Sequence, residues 1–208
     1  MIRERIEKLR AEMAQRGIDI YVVPTSDFHE SEYVGEYFKA RAYITGFTGS
    51  AGTAVITMEE AGLWTDARYF IQAEKQLENS GVTLYRMGEE GVPGIPAYLE
   101  EKLPCGGVLG FDGRVVNYEP GESFARLVEK AQGRLYVEED LVDLIWEQRP
   151  ALPAEPAWIF AEQYVGESTE SKLSRIRKVM EEKGADLHLV SSLYDVACIL
   201  NVRGNDIS

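Results

Sequence analysis

Three glycines spaced three residues apart, Gly46, Gly49 and Gly52, punctuate the stretch RAYITGFTGSAGT at residues 41–53. Glycine at such spacing marks a backbone that adopts φ > 0 or that another part of the chain approaches closely. Tyr43 and Ile44 read as β-like before the loop, and residues 53–57 (TAVIT) read as a strand after it. That order constrains the fold. A phosphate-cradling loop runs from a strand into a helix, whose N–H groups hold the anion. This loop runs into a strand, and it lacks both the Gly-Lys-Ser/Thr ending and the GxGxxG spacing of nucleotide sites. It therefore reads as a structural loop tied to the segment that follows it, LWTDARYF at 63–70.

The rest of the chain alternates strand and helix signals. Ile6, Leu9 and Met13 share one face of an opening helix that Gly17 stops, and residues 18–24 (IDIYVVP) form a buried strand. Residues 53–57 and 63–65 form a hairpin across MEEAG. Helix is predicted over 67–78, strand over 82–85, helix over 95–103 and strand over 108–111. A helical stripe of Phe124, Leu127, Val128 and Ala131 ends at Gly133, followed by a strand at 135–137 and a helix at 141–146. Interleaved elements with one early hairpin predict an α/β domain with a mixed sheet flanked by helices, spanning 1–150. Pro150, Pro153 and Pro156 stiffen a boundary, with the linker at 151–158. A second α/β unit, 159–208, begins with a helix that Ser168 caps, carrying Leu173, Ile176 and Met180 and stopping at Gly184. A strand at 187–190 and a helix at 193–200 follow. One strand in about 50 residues is too little for an independent sheet, so the pattern predicts a second domain that is cut short.

Charge excludes some function classes. The net charge of −13 opposes binding to nucleic-acid phosphates and to anionic membranes. No apolar run reaches the length of a membrane span, and the opening MIRERIEKLR is too charged for a signal peptide. Cys105 and Cys198 form no CxxC pair and read as free thiols in a reducing cytoplasm.

Residues able to carry chemistry are few. DFHESEYVGE gathers Asp27, His29, Glu30, Glu32 and Glu36, which reads either as metal ligands or as a capped loop entering a helix. Capping is the better reading, because a metal site needs three or more converging ligands and the other histidine, His188, lies in the apolar strand predicted at 187–190. Asp66 and Arg68 read as an N-cap with a local ion pair. Ser50 in GSAG is not a nucleophile elbow, because a strand follows it. Trp64, Tyr69 and Phe70 read as core, with Trp64 and Phe70 largely buried. NVRGND leaves two readings for Asn201, Arg203 and Asp206: contact with another domain, or a helix C-terminal turn stopped by Gly204.

The series PTSDFHESEY, ITGFTGSAGTAVIT, LWTDARYFIQAEKQL, LVDLIWEQRP and LYDVACILNVRGNDI closely resembles, in order and over nearly the whole chain, the N-terminal region of the large three-domain Xaa-Pro aminopeptidases. Two departures stand out. The family's acidic residue and arginine pair before the glycine loop are reduced to Arg41, and Ala67 replaces the glycine of WTDGRYF. The resemblance implies a creatinase-type N-terminal α/β domain and the start of a middle domain. It also implies a parent hydrolase that removes the residue preceding a penultimate proline. No position matches the family's metal ligands, so this chain is expected to hold no cofactor and to lack activity alone. The resemblance places two divalent ions, usually manganese in that family, in a C-terminal catalytic domain. The implied partners are that domain, peptides with proline second, and further subunits of a homo-oligomer. Asn201, Arg203 and Asp206 would lie near the active-site mouth, while Asp27, His29, Arg41, Asp66 and Arg68 would form a structural polar network. Creatinase or prolidase relatives share the architecture. An alternative of another class is a peptide- or histone-binding module built on a catalytically dead version of it.

Overall fold

In this computed structural model, which describes residues 1–205, the chain divides into two compact units, Met1–Pro150 and Ala151 onward. The first is built on a six-stranded mixed sheet. Its strands are β1 (Ile20–Pro24), β2 (Thr53–Thr57), β3 (Ala61–Thr65), β4 (Thr83–Arg86), β5 (Val108–Phe111) and β6 (Arg134–Tyr136). They lie in the order β4-β3-β2-β1-β5-β6. The β1–β2 and β2–β3 pairs are antiparallel, and the β3–β4, β1–β5 and β5–β6 pairs are parallel. Side-chain alternation sorts the core. Tyr21, Val23, Ala54, Ile56 and Leu63 face one hydrophobic layer, while Ile20, Val22, Val55, Trp64 and Leu109 face the other.

Helices cover both layers. On the first lie α1 (Ile2–Arg16), α2 (Ala40–Thr45), α3 (Phe70–Gln76) and α6 (Leu141–Ile145), which insert Leu9, Ile44, Ala73 and Leu141 among others. On the second lie α4 (Ile95–Lys102) and α5 (Tyr118–Lys130), which insert Leu99, Phe124 and Val128. Burial on both faces explains why β1 and β5 are continuous apolar runs rather than alternating ones. Gly17 takes φ 64 and closes α1 as expected.

Some local expectations give way. Tyr43 and Ile44 are helical, in α2, because Gly46 (φ 80) ends a short helix there rather than a strand. The predicted helix over 67–78 is a 3₁₀ turn, Ala67–Tyr69, followed by α3. The left-handed residue after α5 is Gln132 (φ 56), not Gly133.

The second unit holds β7 (Trp158–Ile159), α7 (Glu162–Val165), α8 (Thr169–Glu182), α9 (Leu193–Leu200) and β8 (Val202–Arg203), with β7 and β8 antiparallel. Ser168 caps α8 by accepting from the Ser171 N–H, and Gly184 follows that helix at φ 63. Residues 187–190 are not a strand: no described strand pairs with them, and Leu187 and Leu189 are 80% and 82% exposed. His188, expected within that apolar strand, is exposed as well.

Candidate functional edge of the sheet

The registers bring the carboxyl ends of β1 and β3 and the amino end of β2 to one edge: Pro24 pairs with Thr53, and Thr53 with Trp64. The carboxyl ends of β4 and β5 reach the same edge through their parallel pairings. In open α/β sheets, binding sites gather at such carboxyl ends, where the strand order turns back. Three of the sequence motifs converge here: the glycine loop before β2, the DFHESEY loop after β1, and the Asp66–Tyr69 turn after β3.

Arg41 organises the glycine loop. Its side chain is almost wholly buried, and it donates from Nε to Thr25 Oγ1 (2.9 Å), from Nη1 to the Phe47 carbonyl (2.5 Å) and from Nη2 to the Gly49 carbonyl. The guanidinium lies 4.7 Å from the Phe47 ring centre. Burial lowers its pKa to about 10, so the group stays charged at neutral pH, solvated by loop carbonyls instead of water. Thr25 and Thr65 fix the far side by donating to the Gly52 and Ala51 carbonyls at 2.7 Å each. Gly49 is required by contact: a Cβ there would sit 2.2 Å from the Phe47 ring.

Asp27 caps the next loop. Its Oδ1 accepts from the N–H groups of His29 (2.8 Å) and Ser31 (3.0 Å). Burial pushes the carboxyl up, but these donors outweigh it and hold the pKa below the ordinary value. The stretch after it forms turns, and it leaves His29, Glu32 and Tyr33 exposed. Asp66 accepts from the Arg68 N–H (3.0 Å) and pairs with the Arg68 guanidinium at 2.8 Å on an exposed rim. That pairing holds the Asp66 carboxyl low. Ser50 is hydrogen-bonded to the Tyr69 hydroxyl at 2.6 Å, with no imidazole among its described partners. Asp27 with His29, Arg41, and Asp66 with Arg68 thus form three neighbouring local arrangements with no described hydrogen bond or ion pair joining them.

A further cluster was not singled out from sequence. Arg149 Nη1 pairs with Asp140 (2.5 Å) and Asp143 (2.9 Å), its Nε donates to the Tyr37 carbonyl (2.9 Å), and it lies 4.0 Å over the Tyr37 ring. Arg114 pairs with Asp112, just past β5, at 2.9 Å. The Arg149 contacts with Tyr37 tie the end of the first unit to the segment before α2. Nothing local signals that contact, because Tyr37 and Arg149 are 112 residues apart in sequence. Trp64, fully buried, donates to the Pro93 carbonyl (2.8 Å) and stacks on Tyr85 at 3.9 Å. Phe70 is only half-buried, against the expectation, because it opens α3 at the rim beneath Arg86.

In the second unit, Asn201 (φ 50) is the left-handed residue that ends α9, in place of Gly204. Its Oδ1 accepts from Lys172 Nζ at 2.6 Å, and its Nδ2 donates to the Glu167 carbonyl at 3.0 Å. Lys172 also donates to the Cys198 carbonyl (2.7 Å). Arg203 donates to the carbonyls of Ala197 (3.2 Å) and Val202 (2.7 Å) and lies 4.8 Å over the Phe160 ring. Asp206 lies outside the described residues. Among the described residues no three His, Cys, Asp or Glu side chains converge as metal ligands. A two-metal centre therefore fits no set of the described residues.

The first unit is thus a three-layer α/β domain with a glycine loop held by a buried arginine, and a second small unit follows it. The chain belongs to the creatinase/prolidase N-terminal domain family: one model of that description matches residues 5–149, and a second matches 148–208. Among curated relatives, a probable Xaa-Pro aminopeptidase P from Pyrenophora teres f. teres is 43% identical over 98% of this chain, and one from Neurospora crassa is 40% identical over 99%. The chain spans only about a third of the length of these relatives, 31% and 30%. The crystal structure of an X-prolyl aminopeptidase from Caenorhabditis elegans, described as a cytosolic enzyme with a di-nuclear active site, superposes with a TM-score of 0.84 at 31% identity. It covers all of this chain and 35% of its own.

Proposed function

We propose that this chain is the non-catalytic amino-terminal part of an Xaa-Pro aminopeptidase, a cytoplasmic metal-dependent hydrolase that removes the residue before a penultimate proline. The observation that carries this reading is the likeness to the C. elegans X-prolyl aminopeptidase over the whole chain, both units included. The lack of convergent metal donors among the described residues supports that division of labour. Two divalent metal ions, manganese in this proposal, would belong to a following catalytic domain. The loops at the sheet's carboxyl edge, with exposed His29, Glu32, Tyr33 and Arg68, would narrow the approach of peptides to that domain or meet another subunit of a homo-oligomer. Asn201 and Arg203 would set the angle at which the second unit hands on to the catalytic domain, and Asp206 would lie at the active-site mouth.

The test compares this chain with its full-length parent, each supplied with manganese and an Xaa-Pro-Xaa peptide. The parent should release the first residue and this chain should not. An inactive parent, or turnover by this chain at enzyme-like rates, would overturn the reading. Replacing His29 or Arg68 in the parent should change KM for longer peptides more than for tripeptides, if the edge gates access.

A further inference from the structure

The carboxyl edge also holds a cleft of about 330 Å³ on the α4/α5 side of the sheet. Its walls are apolar: Val22 and Pro24 of β1, Ile95 and Pro96 at the start of α4, and Val116 and Phe124 beside and within α5. That volume falls at the small end of the range for ligand sites, about 300–1,000 Å³. Of the described residues lining the cleft, only Glu30 is charged. Glu30 takes φ 56, a left-handed conformation unfavourable for a residue with a Cβ. Its Oε1 accepts from Asn117 Nδ2, which straps the DFHESEY loop to the start of α5. That bond leaves Oε2 available to a ligand donor at the rim.

An anion is disfavoured there. Glu119 in the first turn of α5 adds a second negative charge and Pro120 has no N–H to offer, which together oppose the positive end of that helix. An apolar cavity with one carboxylate at its mouth selects a ligand with an apolar body and a cationic tip. We infer that this cleft binds a small aliphatic primary amine, of the kind presented by the free amino terminus of a peptide whose first side chain is apolar. The inference does not depend on the activity of the parent protein.

Leucinamide is the probe: its α-ammonium is charged at neutral pH and its other end is neutral. Titrated into the isotope-labelled 208-residue chain, it should produce saturable NMR shifts at Thr25, Thr53, Asn117 and Phe124, with a Kd on the order of 1 mM. N-acetyl-leucinamide has the same side chain without the charge and should bind about tenfold more weakly. Glu30→Gln should weaken leucinamide severalfold, whereas Glu32→Gln, outside the cleft, should not. Ser123→Trp, on the exposed face of α5 at the cleft wall, should abolish binding with no change in the thermal midpoint. Absent saturation, equal binding of the acetylated compound, or shifts centred on the glycine loop would each overturn the inference.

Discussion

Replacing Arg41 with methionine tests whether a buried cation or the glycines themselves hold the central loop. Methionine keeps the length and apolar bulk of the side chain and removes all three donors. The Phe47 and Gly49 carbonyls then lose their guanidinium partners in a buried setting. A buried polar group left without a partner costs about 1–3 kcal/mol, so the two carbonyls together cost about 2–6 kcal/mol. The lost contact with the Phe47 ring acts in the same direction. Against this, the variant no longer buries a charge, a cost that shows as the depressed Arg41 pKa of about 10. The carbonyls already solvate that charge, so the relief is the smaller term, and the net loss should be about 3 kcal/mol. For a domain of this size that is a large part of a total of about 5–15 kcal/mol. Arg41→Lys can reach two of the three oxygens and should lose about half as much. Urea unfolding followed by circular dichroism reads both variants, provided the slopes match wild type. A methionine variant within about 0.5 kcal/mol of wild type would refute the reasoning. It would mean the loop holds its shape through glycine conformation and the bonds from Thr25 and Thr65 alone.

Other outcomes follow from the same geometry. Trp64→Ala should cost about 3–5 kcal/mol because the ring is fully buried and stacked, whereas Phe70→Ala at the rim should cost about 1 kcal/mol; equal unfolding midpoints for the two would contradict their placement. The Asp27 carboxyl has its pKa held below the ordinary value, so its contribution to stability is complete above about pH 4 and is lost as pH falls through the lowered pKa. Wild type should therefore lose stability on acidification more steeply than Asp27→Asn, and parallel acid profiles would show that the two N–H bonds contribute nothing. Asn201→Ala and Asn201→Gly both leave Lys172 short of an acceptor, but alanine is also forced left-handed, so it should destabilise the second unit by about 1 kcal/mol more than glycine; hydrogen exchange in α9 reads the difference, and faster exchange in the glycine variant would reverse the argument.

Periodicity and punctuation alone placed most elements. The opening helix with Ile6, Leu9 and Met13 inward, the hairpin of β2 and β3, the caps at Asp66 and Ser168, and the mixed α/β class were all legible, because each depends on neighbours within a turn or a strand length. The motif series likewise pointed to the creatinase-type family, since motifs are linear by construction. What sequence misjudged depended on distant partners. Residues 187–190 have the apolar alternation of a strand but no described ladder to join, and a strand is defined by its partner. Tyr43 and Ile44 have β propensity, yet packing of α2 against the core overrides it. Phe70 looked like core as an aromatic residue in a predicted helix, but one residue's place on a helix turn decides burial, and only the packed sheet fixes that place. The role of Arg41 is the clearest case. Sequence showed that an arginine precedes the glycine loop; only the folded chain brings the Thr25 hydroxyl and the carbonyls of Phe47 and Gly49 around its guanidinium, because those oxygens converge only after β1 and β2 have paired.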